Sequence, residues 1–358
     1  MKKKIFALGL AVLMAFAAVG CSGGKTEEAS ADAGTTTTTE EGAEGAEAGE
    51  AEYLIKLGNV VAPEHPYALG AAKMAELLAE KTDGRAKIDV FNNGQLGAER
   101  DLVEGLQLGT LEVAICSAAP LASFTDDLLV FDLPFLFPDA ETARAVADSD
   151  LCQGFLDGLD EQGLKGLCYF ENGFRSITNS RQPIVTPDDC KGLKIRTMEN
   201  QMHIAIWSAL GADPTPMAWT EVFTALQQGA IDAQENPLAM VETSKLYEVQ
   251  KYLSLSNHVY NPAPVLMSLD YYNNLPEDIQ QAVVEAANES KDYQRSINDE
   301  QEAEILASLP EKGMEINEVD MAAFQEKLQP VYDEFIGTGE GQVDPEIYEQ
   351  VLELIEQQ

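Results

Sequence analysis

Positive charge is scarce in this 358-residue chain: 23 Lys and Arg stand against 61 Asp and Glu, a formal net charge of −38. A surface so acidic repels nucleic acid and anionic lipid headgroups, and excludes both as partners. Histidine is scarcer still, with only His65, His203 and His258. The cysteines after Cys21 are Cys116, Cys152, Cys168 and Cys190, and no pair of them has metal-site spacing. A zinc site is therefore not expected. The apolar neighbours of Cys116 and Cys168 read as buried thiols, although a disulfide is compatible with export. Motifs of catalysis are missing too: there is no nucleophile elbow, P-loop, His-Glu-x-x-His or strand-linked Gly-x-Gly-x-x-Gly. Covalent chemistry is not expected, and neither is a cofactor. Beyond residue 20 no segment is long and apolar enough to span a bilayer.

The N-terminus is rich in signal. Met1-Lys2-Lys3-Lys4 precedes an apolar run from Ile5 to Val19, too short for a comfortable permanent span. Ala18-Val19-Gly20-Cys21 matches a bacterial lipobox, so residues 1–20 read as a signal peptide and Cys21 as the lipidated first residue of the mature chain. Two or more acyl chains there give a stable anchor, at about 0.8 kcal/mol per buried methylene. Residues 21–52 are mostly Gly, Ala, Thr and Glu, which cannot bury enough surface to offset chain entropy, and read as an acidic tether. The expected location is the outer face of the cell membrane, anchored by lipid. Residues 53–358 keep 52 acids and 19 bases, a charge of −33.

In that remainder, β-branched runs alternate with amphipathic stretches. Strands are expected at 53–57, 87–91, 112–116, 164–170, 175–178 and 192–197, and helices at 66–81, 99–108 and 220–228. The alternation predicts an α/β fold with mostly parallel sheets. From Pro276 to about Leu309 a helical pattern runs without an interior glycine or proline, placing Ile279, Val283, Ala286 and Ala287 on one face. Such a helix either braces two lobes or lies on the surface of one.

Two arginines stand at strand positions among apolar neighbours: Arg175 after Asn172-Gly173-Phe174, and Arg196 at the end of Gly192-Leu193-Lys194-Ile195-Arg196. A buried guanidinium needs a partner, and its planar fork matches a carboxylate through two parallel hydrogen bonds. The partner is either an organic acid or one of the chain's own carboxylates.

The stretch from Gly211 to Pro237, which reads GADPTPMAWTEVFTALQQGAIDAQENP, closely resembles the solute-binding proteins of TRAP transporters, the DctP-like family. The resemblance includes Tyr247 to Leu253, Gly192 to Arg196, Gly94-Gln95-Leu96-Gly97 with Glu99, and Leu275-Pro276-Glu277, and spans residues 53 to about 335. It implies a two-lobed periplasmic-binding-protein-like fold with crossing hinge strands and a long bracing helix. The lobes are expected at 53–173 with 262–300 and at 174–261 with 301–345, followed by a C-terminal tail at 346–358. It also implies capture of a small carboxylate in an interlobe cleft, with TRAP membrane subunits as partners. Arg196 falls on the family's carboxylate-clamping arginine, Asn236 on the asparagine that bonds the same group, and Arg175 on a second arginine of many members. Trp219 stands where relatives stack an aromatic ring on the ligand, Glu199 and Ser117 at positions that vary with substrate, and His65 in the first βα loop. A wide tryptophan and a glutamate in the wall favour a uronate or aldonate, with a C4-dicarboxylate close behind. The rival readings are a binding protein serving an ATP-driven transporter or a sensor kinase, and a secreted enzyme acting on organic acids.

Overall fold

The computed structural model describes residues 51–358, so the signal peptide, Cys21 and the tether lie outside the described residues. The chain opens with β1 (Tyr53–Gly58), α1 (Pro66–Lys81), β2 (Ala86–Phe91), α2 (Glu99–Gln107) and β3 (Val113–Ile115). Next come α3 (Ala140–Ala147), α4 (Asp150–Gly158), β4 (Leu164–Phe174), β5 (Ser176–Asn179), β6 (Lys194–Thr197), α5 (Gln201–Ala209) and β7 (Asp213–Pro216). They are followed by α6 (Trp219–Gln227), β8 (Ala233–Asn236), α7 (Leu238–Thr243), β9 (Tyr252–Leu255), β10 (Tyr260–Ser268) and α8 (Leu269–Asn274). The last elements are α9 (Glu277–Ser308), β11 (Glu315–Glu318), α10 (Met321–Phe335) and α11 (Pro345–Glu356).

The strands form two sheets, ordered β2-β1-β3-β10-β4 and β11-β9-β5-β8-β6-β7. Local sequence explains their placement. β10 is buried along its whole length and pairs on both sides, as a central strand must. β7 carries two prolines and sits at a sheet edge, where a missing N–H breaks no ladder. Five of the nine strand pairings are parallel, as the alternation predicts, and the exceptions gather on two strands: β10 runs antiparallel to β3 and β4, and β5 antiparallel to β8 and β9. These are the strands that carry the chain from one sheet to the other, and they arrive from the opposite direction. Between the sheets they are tied together, with Arg175 N–H donating to Val259 O at 2.9 Å and His258 N–H to Arg175 O at 3.2 Å.

α9 is the long helix, and it braces. Ile279, Val283, Ala286 and Ala287 are buried in the core that backs the first sheet. Ile305, seven turns on, enters the second core with Val222, Leu238 and Leu253. Its closest approach is to α1 at Gly70, where an added Cβ would lie 2.6 Å from Phe170 and 2.9 Å from Gln294. Cys116, Cys152, Cys168 and Cys190 are all buried free thiols, and burial pushes Cys168 up to about 12. The segment read as a tail forms α11, which buries Val351. Among the described residues no helix is long and apolar enough to cross a membrane.

Candidate functional site

The carboxyl ends of β1 and β3 in one sheet, and of β6 and β8 in the other, converge on a small, partly open cavity. Open α/β sheets bind ligands at this place, because strand ends leave backbone groups and loop side chains facing a crevice. The first-sheet wall consists of Val60, Val61, Tyr67, Glu99, Ser117 and Asn172. The facing wall consists of Arg196, Met198, Trp219, Asn236 and Met240.

Arg196 lies on β6 and is only 3 % exposed. Its Nε–H donates to Met217 O at 2.8 Å, and its guanidinium carbon sits 5.8 Å from the Trp219 ring centre. Those contacts fix the plane of the fork. Its two terminal nitrogens have no hydrogen-bond partner among the described residues. Burial, and then the neighbouring Arg175, lowers its pKa to about 10, which leaves it charged at neutral pH.

Arg175 meets a different fate. It is wholly buried, and Glu235 takes its fork: Nε to Oε2 at 2.5 Å and Nη2 to Oε1 at 2.9 Å. Its Nη1–H donates to Asn261 Oδ1 at 3.3 Å. It stands behind the cavity rather than in its wall. Burial by itself raises the Glu235 pKa, but Arg175 and His258 overcome that and hold the carboxyl far below the usual range.

Asn236 ends β8 and turns its amide toward the cavity. Its Nδ2–H donates to Gln234 Oε1 at 2.6 Å, and Gln234 Nε2–H donates to Thr178 Oγ1 at 2.8 Å, so the side chain is held from behind. Trp219 and Ser117 also stand in the wall. Glu199 does not: it is exposed and borders a separate cavity with Arg100 and Asn200. His65 is neither wall nor surface turn. It is fully buried as the N-cap of α1, with Nδ1 accepting Tyr67 N–H at 3.1 Å, and desolvation drives its pKa down to about 3.

Three polar wall residues escaped assignment from sequence. Tyr67 Oη and Asn172 Oδ1 are buried in the cavity wall without a hydrogen-bond partner. Glu99 Oε1 accepts Ser117 N–H at 2.6 Å, and burial raises its pKa against that bond and the two arginines. Asn172 lies beyond the strand read at 164–170, next to Glu171, and nothing in that stretch marked it.

The sequence pattern of bacterial extracellular solute-binding protein, family 7 (DctP), matches residues 57–338. The chain belongs to this family. DctP proteins are extracytoplasmic solute-binding proteins of TRAP transporters, two-lobed in their solved structures. A solute-binding protein of Verminephrobacter eiseniae is 45 % identical over 262 residues, covering 73 % of this DctP chain and 78 % of that protein. The C4-dicarboxylate-binding periplasmic protein DctP of Rhodobacter capsulatus is 36 % identical over 286 residues, covering 78 % and 86 %. The sugar acid binding protein DctPAm of Advenella mimigardefordensis, solved in complex with galactonate, superposes with a TM-score of 0.82. It is 37 % identical, covering 86 % of this chain and 99 % of that one.

Proposed function

We propose that this DctP protein captures a monocarboxylic sugar acid, a uronate or an aldonate, outside the cell and presents it to TRAP membrane subunits. The observation that carries the reading is the fork of Arg196, a residue only 3 % exposed, whose terminal nitrogens make no hydrogen bond among the described residues and face a partly open cavity. Keeping a lone charge in such a place costs several kcal/mol, and a bound carboxylate removes that cost through two charge-assisted hydrogen bonds. Asn236 adds an amide donor to the same group. Trp219 covers the carbon skeleton.

The opposite wall favours hydroxyl groups over a second carboxylate. Glu99 and Asn172 Oδ1 are acceptors and Tyr67 Oη accepts or donates, which suits a polyhydroxylated tail. A second carboxylate would face Glu99 with no further unpaired cation in the wall, because Arg175 is committed to Glu235. The galactonate complex of DctPAm supports this choice.

The mechanism is closure. Residues 53–173 with 262–300 form one lobe and 174–261 with 301–345 the other, hinged where Arg175 and Val259 pair and spanned by α9. The acid stabilises the closed form by contacts from both walls at once. No covalent step is needed, and Arg175 and His65 act by holding Glu235, Asn261 and Tyr67 in place. Cys21, carrying lipid, tethers the protein to the membrane.

A thermal-shift screen of the full-length chain against aldonates, uronates, C4-dicarboxylates and keto acids tests this. A ligand at 100 times its dissociation constant adds about 2.7 kcal/mol of stability, a clear rise in melting temperature. The expected result is a rise with an aldonate or uronate. A shift with dicarboxylates alone removes the sugar-acid reading. Silence with every acid, persisting after unfolding and refolding to strip the site, removes the carboxylate reading.

A further inference from the structure

The Gly94-Gln95-Leu96-Gly97 turn lies behind the cavity wall formed by Val60 and Val61 and touches Thr220, which follows the wall residue Trp219. It follows β2 and is stapled to the loop after β1. Asn93 N–H donates to Val61 O at 2.8 Å, Gly94 N–H to Asn59 O at 3.0 Å, and Asn59 Nδ2–H to Asn92 Oδ1 at 2.7 Å. Val60 and Val61 of that loop form part of the cavity wall. The turn therefore cannot retreat without moving the wall itself.

Opposite it stands Thr220, the residue after Trp219 at the start of α6. A Cβ built on Gly94 would lie 2.7 Å from Thr220 Cγ2, closer than two carbons approach. Gly94 also has φ +63, a left-handed conformation. We propose that Gly94 is a closure-positioning residue, whose missing side chain lets the turn seat on the first turn of α6. That seat sets how far the lobes shut over the acid and how long the acid stays. The inference rests on the closure reading and adds to it the contact that limits the movement.

An extra methyl on Gly94 forces Thr220 to shift, and a larger group forces a larger displacement. Asparagine tolerates the left-handed region, so Gly94→Asn inserts a wedge with little backbone strain. The experiment measures D-galactonate binding kinetics for the full-length chain carrying Cys21→Ser. Gly94→Asn is expected to raise the dissociation constant ~10-fold or more, almost entirely through the off-rate. Its melting temperature without ligand should stay near that of the parent. Gly94→Ala should show a smaller defect, and Thr220→Ala added to it should restore parental binding. Parental affinity in Gly94→Asn overturns the proposal. So does a Gly94→Ala defect that survives the second substitution, because backbone strain would then be its cause.

If the parent takes neither galactonate nor any other acid, the carboxylate reading fails by itself, and the contact is still read without ligand. Gly94→Cys with Thr220→Cys, in the chain carrying Cys21→Ser, should crosslink on prolonged diamide treatment of the ligand-free protein, since oxidation traps each transient closure and the four cysteines Cys116, Cys152, Cys168 and Cys190 are buried. Absence of that crosslink overturns the proposal.

Discussion

Arg175 and Arg196 are buried to nearly the same degree, 0 % and 3 % exposed, yet one is saturated and the other open. Their substitutions should separate accordingly. Arg196→Lys keeps the charge but cannot make two parallel bonds, so acid binding should weaken by about 1.5–3 kcal/mol, read by calorimetry, with the melting temperature little changed. Glu235→Gln instead leaves Arg175 a buried charge with half a partner, and should cost roughly 3–5 kcal/mol of stability in urea unfolding. The sign with pH follows from its depressed pKa. The stability Glu235 contributes is complete above the ordinary carboxylate range and is lost as pH falls below it, so Glu235→Gln should flatten the acid limb of a melting-temperature profile.

His65 works in a higher window. Its folded pKa of about 3 lies below the ordinary 6.5, so the unfolded chain binds the proton first. Its contribution is complete above pH 6.5 and falls by about 1.4 kcal/mol per unit as pH drops toward 3. His65→Asn keeps an N-cap acceptor without that proton and should remove one proton's worth of slope between pH 6.5 and 4.5. Sequence could flag the two arginines but not tell them apart. The distinction depends on Glu235 reaching Arg175 across paired strands β5 and β8, a register that no local pattern encodes. Tyr67 and Asn172 were hidden for a like reason, since an orphaned polar atom exists only once the wall around it is built.

Among the elements, α1, α2, α6 and α9 were legible in the sequence, while α3, α4, α5, α7, α8 and α10 were not read. α1 begins and ends where Pro66 and the last apolar repeat place it, and α9 follows its unbroken pattern from Pro276. Strands β1 to β6 were found and β7 to β11 were not; the antiparallel course of β5 and β10 also went unread, because both take their direction from the crossings between sheets. α11 went unread as a helix, although Asp344 caps it and Pro345 opens it. The α1–α9 contact offers a test at this scale. Gly70→Ala should gain about 1 kcal/mol of helix propensity and lose more, because the new methyl meets Phe170 and the Gln294 stem at under 3 Å. A net loss of about 1–2 kcal/mol, or a melting temperature lower by about 2–8 °C, is expected in a thermal scan.

Over the whole molecule, the charge of −33 on residues 53–358 opposes the approach of any anion, even though the cavity holds an open cation. Raising ionic strength from about 0.01 to 0.15 M shortens the Debye length from roughly 30 to 8 Å and shields the acidic surface more than the buried fork. Association of an acid should therefore quicken with salt in stopped-flow measurements, the reverse of a steered encounter.

The sheet order β2-β1-β3-β10-β4 has a consequence in time as well as in space. Strands β3 and β4 are complete by residue 174, but the strand that belongs between them ends at Ser268. Until that point has emerged, the first sheet has a gap at its fourth position and two unpaired edges, one along β3 and one along β4. Pairing across so many intervening residues is slow, and open edges invite other chains. A DctP chain must leave the cytoplasm to work, and this topology favours that order of events: the polypeptide can be threaded outward before its N-terminal half has anything stable to become.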